Sequence, residues 1–361
     1  MANKYLYIGV EPNSYSGQYH CMVEARKGLL KKGYVGVEVL LPQLDRRNYL
    51  NLVQHFWRLG LYFWSLHRER HAGHQFTVIS LGSSWYFLVR IICSLMILPK
   101  GNIIIELHTT EQPAPFKKKI LKHILDRAVR VVCLNDLQAK YYSIPSAKFS
   151  KRSNVVFPGS LAEIQERRHS QEIILGYLSL GAEAKGVYDF IHLAESCLRH
   201  DLVDKILLAV PYAKTKYCKK FHNKEHLERA IQEFSDRHPN KVEIYLDGVA
   251  GDDKRVFFSR VTHFVFPSKF PAEAMPVSLL EALAHGCYAI VLYSEVLRSL
   301  FEEISNEHNF CFYKTDKEFH SIVARSRSHY LKNPSAVASE NIQYIENRCS
   351  LEQYLSVYKL P

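Results

Sequence analysis

No two of the chain's eight cysteines stand at Cys-x-x-Cys spacing; Cys21, Cys93, Cys133, Cys197, Cys218, Cys287, Cys311 and Cys349 are scattered through 361 residues. That pattern argues against a zinc ribbon and a disulfide-stapled fold, and several of the eight lie in apolar stretches where buried, reduced thiols are expected. Glycine and proline are few, 16 and 14, which with 47% hydrophobic residues excludes collagen-like order and disorder. No apolar run reaches the roughly 20 residues that a membrane-crossing helix needs. The nearest, Trp85 to Leu98, is short and broken by Arg90, and predicts a core helix. The opening MANKYLYIGVEPN lacks the apolar core and cleavage site of a signal peptide, so a cytoplasmic place is expected. Neither an internal repeat nor a P-loop occurs.

Acidic residues are scarce in one half only. Residues 1–170 hold 24 Lys and Arg against 11 Asp and Glu, a net +13; residues 171–361 hold 23 against 25, a net −2. A basic half attracts a polyanion: nucleic acid, a phospholipid surface or a pyrophosphate-linked acceptor. No nucleic-acid recognition motif accompanies the charge, so nucleic acid is not expected.

The chain is too long for one ordinary core, and two domains are the natural count. Lys4 to Glu11 predicts a strand, followed by the polar loop PNSYSGQYH, a helix over about His20 to Lys32 that stops at Gly33, and a strand over Val35 to Leu41. In this β-loop-α-β opening Gly17 is either a turn residue or the place where backbone approaches a ligand. Strands follow at Phe76–Ser83, Asn102–Leu107, Arg130–Leu134 and Asn154–Phe157, ahead of an interdomain hinge at LAEIQERRHSQE. His108 stands just past a strand's carboxyl end, where α/β proteins bind ligands, although a lone histidine is often structural.

Two segments of the first half stand out. Arg46 to His74 packs Tyr49, Phe56, Trp57, Tyr62, Phe63 and Trp64 between basic ends. It reads either as a membrane-interface segment, with Arg on anionic lipid, or as a helix buried between sheet and neighbours. His67, His71 and His74 have metal-like spacing but no acidic partner, so a surface basic cluster is expected there. Phe116 to Ala128, FKKKILKHILDRA, is a basic amphipathic helix that suits a membrane surface or a solvated outer face.

The second half predicts strands at Ile173–Leu178, Lys205–Val210, Val242–Leu246, Val261–Phe266 and Phe310–Tyr313, with helices near Val187–Arg199, Lys224–Arg237 and Asp252–Ser259. Tyr293 to Asn309 reads as a variable loop. The organising stretch is Phe266 to Val291, FPSKFPAEAMPVSLLEALAHGCYAIV. Its helix would begin with Pro276 at the first position and close at Gly286 in a left-handed cap. Val277, Leu279, Leu280, Leu283 and Ala284 form the predicted buried side, and Ser278, Glu281, Ala282 and His285 share another. The helix start offers N–H groups and a positive dipole end to phosphate, and Glu273 and Glu281 bracket it with acceptors for sugar hydroxyls.

Glu273 and Glu281, separated by seven residues and followed by EALAHG, resemble the Glu-x7-Glu signature of retaining GT-B glycosyltransferases, especially glycosyltransferase family 4. The context of FPS, E-x-x-P, LLEALA-x-G and a β-branched strand carries the resemblance further than the spacing does. It implies an α/β fold of two Rossmann-like, doubly wound domains facing one another across a cleft. Residues 1–160 would be the acceptor-side domain and 161–344 the nucleotide-sugar-binding domain. A terminal helix in about 345–361, near Leu351 to Lys359, would pack back on the first. By resemblance Lys185 of Lys185-Gly186 neutralises the donor diphosphate, Gly17 lies against it, and Met275, Val277 and Ser278 sit on the donor. Val249 faces the base, Glu281 the ribose, Glu273 the donor sugar, and His108 the sugar and reacting centre. Two departures stand beside this: Leu180 occupies the place of the family's usual phosphate-binding Arg, and PYAKTKY replaces a Gly-rich turn. No Asp-x-Asp is present to recruit a divalent ion, so neither metal nor cofactor is expected.

The implied activity is transfer of a sugar from a nucleotide-sugar to a glycan or lipid-linked acceptor, as in bacterial surface polysaccharide assembly at the inner membrane face. A nucleotide-sugar epimerase and a non-catalytic scaffold on the same fold remain alternatives.

Overall fold

Two parallel sheets, each of six strands, organise the computed structural model. It describes residues 3–10, 23, 26–31, 33–41, 49–69, 72, 74–81, 85–98, 102–108, 112–159, 164, 172–212, 223–271, 273–304 and 308–358. The chain divides into two units: Met1–Val155 with Ala272–Met275 and Leu351–Pro361, and Val156–Pro271 with Pro276–Ser350.

The first sheet holds β1 (Asn3–Val10), β2 (Tyr34–Leu41), β3 (Phe76–Leu81), β4 (Ile103–Leu107), β5 (Arg130–Cys133) and β6 (Phe149–Lys151) in the order β2-β1-β3-β4-β5-β6. Alternation along the strands gives it two apolar faces. Leu6, Ile8, Ile79, Ile105, Val131 and Cys133 share one core with α1 (Tyr49–Glu69), α2 (Trp85–Ile97), α3 (Pro115–Asp126) and α4 (Asp136–Tyr142). On the other face the rings of Tyr5, Phe76 and Tyr358 stack in series at 5.6 and 6.0 Å.

The second sheet holds β7 (Ile174–Leu178), β8 (Lys205–Ala209), β9 (Val242–Tyr245), β10 (His263–Phe266), β11 (Tyr288–Leu292) and β12 (Phe310–Tyr313) in the order β12-β11-β10-β7-β8-β9. Its helices are α5 (Val187–Arg199), α6 (Lys224–Arg237), α7 (Gly251–Arg260), α8 (Val277–Ala284), α9 (Glu295–Phe301), α10 (Asp316–Lys332) and α11 (Pro334–Cys349), and α12 (Leu351–Ser356) follows as part of the first unit. Every strand pair in both sheets is parallel. All-parallel sheets need helical crossovers, which is why strand and helix alternate along the sequence.

Several local expectations change. Asn154–Phe157 is not a strand: Asn154 uses its side-chain amide on the Met275 carbonyl (3.1 Å), and the Val156 N–H donates to Cys349 (3.3 Å). Pro276 is the N-cap of α8, not its first helical residue, while Gly286 takes the expected left-handed conformation (φ +66°). On α8 Ala282 is buried and Val277 only half-buried, and the capping His285 is buried by stacking on Phe258 at 5.5 Å. The segment Tyr293 to Asn309 contains α9, capped by Ser294, whose Oγ accepts from the Leu297 N–H (3.2 Å). His74 is not part of a surface cluster: its side chain, 7% exposed, lies beside Glu69 at 3.3 Å, and His71 lies outside the described residues. Six described cysteines are free thiols, four of them buried. Among the described residues no helix is long and apolar enough to cross a membrane.

Candidate functional site

In the second sheet the chain steps outward from β7 through β8 to β9, then returns to β10 on the opposite side of β7. The carboxyl ends of β7 and β10 therefore flank a topological switch point, where open α/β sheets leave a crevice for ligands. The loop after β7 carries Lys185. The loop after β10 runs through Phe270, Glu273 and Met275 into α8.

Gly186 closes these loops on one another. It sits at φ +81°, and a Cβ there would stand 2.3 Å from the Pro267 carbonyl oxygen, so both conformation and space require glycine. The Lys269 N–H donates to the Ala184 carbonyl (2.9 Å), and the Lys269 ammonium pairs with Asp189 (2.7 Å). Held this way, the Lys185 ammonium lies 4.2 Å from the centre of the Phe270 ring, a cation–π distance. The Tyr177 hydroxyl donates to the Lys185 carbonyl from beneath (3.0 Å).

Helix α8 begins without a side-chain cap, since Pro276 offers no acceptor. Val277 and Ser278 in its first turn are half-buried. One turn on, Glu281 accepts from the Lys254 ammonium of α7 at 2.7 Å, with about a fifth of either side chain exposed. Val249, half-buried, lies in the loop between β9 and α7. Leu180 is half-buried beside Gly181, whose N–H donates to the Pro211 carbonyl (2.8 Å). Of PYAKTKY only residues 211–212 are described.

The first unit holds the remaining expected residues. His108 and Glu106 are two apart at the end of β4 and so project to one face. The imidazole Nε2 lies 3.2 Å from Glu106 Oε2, with 7% of the His108 side chain exposed. Glu106 is buried and also meets Arg152 Nη1 (2.6 Å) and the Tyr358 hydroxyl. The Arg152 guanidinium lies 3.9 Å from the Tyr354 ring centre and donates to the Tyr358 oxygen at 2.8 Å. Burial by itself would push the Glu106 carboxyl up; Arg152, His108 and Tyr358 outweigh it and hold it at about 2. Arg152 is raised well above its usual range, because the Glu106 charge outweighs desolvation. An ionised Glu106 only accepts, so the hydrogen between it and His108 sits on Nε2.

Met275 is fixed by Asn154, whose N–H donates to the sulfur (3.1 Å) and whose amide donates to the carbonyl; the Asn135 amide donates to Ala274 (3.0 Å). Glu273 is half-buried in the same loop. Gly17 lies outside the described residues. Among the described residues no three His, Cys, Asp or Glu side chains gather as metal ligands.

Sequence reasoning missed Glu106, Arg152, Lys254 and the asparagine pair. Only Glu106 left a trace, a single carboxylate inside the apolar strand IIIEL.

No family model matches the chain, and no curated protein matches it in sequence. Solved structures do resemble it. An alpha,alpha-trehalose-phosphate synthase (UDP-forming) from Burkholderia vietnamiensis is 12% identical, covers 99% of this chain and 96% of its own, and superposes with TM-score 0.69. A structure from E. coli described as trehalose-6-phosphate bound with UDP-2-fluoro glucose is 8% identical over 98% of both chains, with TM-score 0.69. TarM from S. aureus, in complex with fondaparinux, alpha-GlcNAc-glycerol and UDP, is 14% identical over 78% of this chain, with TM-score 0.57. The likeness spans 54% of that TarM chain, so this chain matches about half its length. At such identities the likeness is one of fold: two Rossmann-like domains of the GT-B class.

Proposed function

We propose that this protein moves a sugar from a nucleotide-sugar donor to an acceptor with retention of anomeric configuration. One observation carries the reading: at the switch point of the second sheet, a lysine-bearing loop locked by Gly186 closes on the loop that feeds an uncapped helix start. A departing nucleoside diphosphate needs a cation and N–H donors in place before its charge develops. Lys185 would neutralise the phosphates, and the N–H groups of Val277 and Ser278 would donate to them. Glu281, oriented by Lys254, would accept from the ribose hydroxyls, and Val249 would lie against the base. Glu273 would accept from hydroxyls of the donor sugar, beside Met275 and, at the first crossover, Gly17. His108, its ring fixed by Glu106, would contact the sugar.

Among the described residues none stands out as a general base. The acceptor oxygen would bond to the anomeric carbon as the bond to the leaving phosphate breaks, and its proton would pass to that phosphate. The first unit, with 23 Lys and Arg against 11 Asp and Glu, would be the acceptor side. Glycans or lipid-linked acceptors of bacterial surface polysaccharide assembly (LPS or capsule) fit it, as does work at the cytoplasmic membrane face.

A thermal-shift screen with UDP, GDP, ADP and their hexose conjugates tests this. The expected result is stabilisation by one nucleoside diphosphate that Glu281→Ala weakens. Absence of any nucleotide-dependent shift overturns the reading in favour of a non-catalytic scaffold. Conversion of donor without acceptor would instead identify an epimerase. Fold neighbours solved with UDP and UDP-2-fluoro glucose make uridine nucleotides the first to try.

A further inference from the structure

Helices α1, α2 and α3 lie side by side over one face of the first sheet, as right-handed crossovers between successive strands require. Their inner sides feed the core through Tyr62, Leu66, Ile91, Leu95, Leu121 and Ile124. Their outer sides are unlike those of ordinary solvated helices. On α1, Trp57, Leu61 and Trp64 are 71%, 47% and 60% exposed, and their spacing of four and three places them in one stripe. The stripe continues to exposed Arg68, whose guanidinium lies 5.4 Å from the Trp64 ring centre. Met96 of α2 is 77% exposed and Phe116 of α3 68%. Exposed Lys119 and Lys122 follow Phe116 on the same side of α3. Five of the eleven exposed large hydrophobic side chains among the described residues thus lie on three adjacent helices.

The charge on these helices is mainly positive. They carry seven Lys and Arg and two carboxylates, Glu69 and Asp126. Glu69, buried beside His74, also pairs with Arg68 at 3.2 Å, and the three helices keep a net charge of +5.

We propose that the outer face of α1, α2 and α3 is a docking surface for an anionic lipid bilayer. Tryptophan rings rest at headgroup depth, apolar tips enter the acyl boundary, and Arg and Lys stay at the phosphates while their stems cover apolar surface. No described helix could cross the bilayer, so attachment is in its plane. The proposal rests on the transfer reading only in naming where the acceptor would be met. Lipid binding needs no donor, so the two fail separately.

Flotation of the whole protein with vesicles of phosphatidylcholine alone, and with added phosphatidylglycerol, tests it. Trp57 and Trp64 lie on this face, so intrinsic emission reports the contact directly. The expected result is binding to anionic vesicles only, a blue shift of emission, quenching by lipids labelled near the headgroup, and weakening by salt. Trp57→Ser with Trp64→Ser should abolish the blue shift. Lys119→Ala and Lys122→Ala should each weaken binding by about fivefold. All four side chains are exposed, so melting temperatures should hold. If a variant did unfold, the salt dependence and quenching of the unaltered protein would still decide. Equal binding to neutral vesicles, no binding, binding unchanged by these substitutions, or self-association that shields the tryptophans without lipid would each overturn the proposal. The nucleotide screen is unaffected by any of these outcomes.

Discussion

Glu106 and Arg152, 46 residues apart, form a carboxylate–guanidinium pair at 2.6 Å with 1% of either side chain exposed. Removing one partner strands the other in a medium that solvates it poorly. Glu106→Gln should therefore cost about 3–5 kcal/mol in chemical unfolding, more than the hydrogen bond it formally removes.

The same pair sets an acid limit. The Glu106 carboxyl is held at about 2, below its ordinary 4.5. A value depressed on folding stabilises the native state above the unfolded-state value and loses that effect as pH falls through the folded one. Of the order of 3 kcal/mol should disappear between pH 4.5 and about pH 2. Denaturant titrations across that interval check this, and Glu106→Gln should flatten the decline.

Gly186→Ala combines a left-handed backbone with a Cβ 2.3 Å from a carbonyl oxygen. A loss of about 2–4 kcal/mol is expected, with parting of the Lys185 and Pro267 loops. Calorimetry reads the first effect, and loss of the nucleotide-dependent shift the second. Retained nucleotide binding would mean that the loop closure does not serve the ligand.

Lys254→Ala should release the Glu281 carboxylate from its 2.7 Å partner. Nucleotide affinity should drop by roughly tenfold, close to the effect of Glu281→Ala, because a charged hydrogen bond is worth about 1.5–3 kcal/mol. Isothermal titration of both single variants and the double variant measures the coupling between them.

His108→Ala should lower kcat by roughly 10²–10³ with little change in nucleotide affinity, as expected for a group that acts on the sugar. Glu106→Gln should move kcat in the same direction. Histidine-labelled nitrogen NMR checks the contact: a hydrogen on Nε2 in the unaltered protein.

The alternation of apolar strand and amphipathic helix was legible along most of the chain, because sheet faces and helix stripes leave periods of two and 3.6 in the sequence. The helix at Glu295–Phe301 was missed although Ser294 stood at its cap, since the surrounding polar residues masked a short stripe. At the site, Lys185-Gly186 and Glu-x7-Glu were visible as local patterns. Glu106, Arg152 and Tyr358 were not, being 46 and 206 residues apart along the chain. Lys254 lies 27 residues before Glu281 on another helix and has no local signature. The asparagines that hold Met275 and Ala274 are equally remote in sequence. Long-range polar pairing is fixed by topology, which periodicity does not encode.

Tyr358 reaches back to Arg152 across 206 positions. At a synthesis rate of about 5–20 residues per second, a ribosome needs roughly 10–40 s to travel that far. For that interval the nascent first sheet waits with its ionic centre uncovered. Removing Leu351 to Tyr358, or pausing translation before they emerge, should therefore weaken the half of the molecule that was made first.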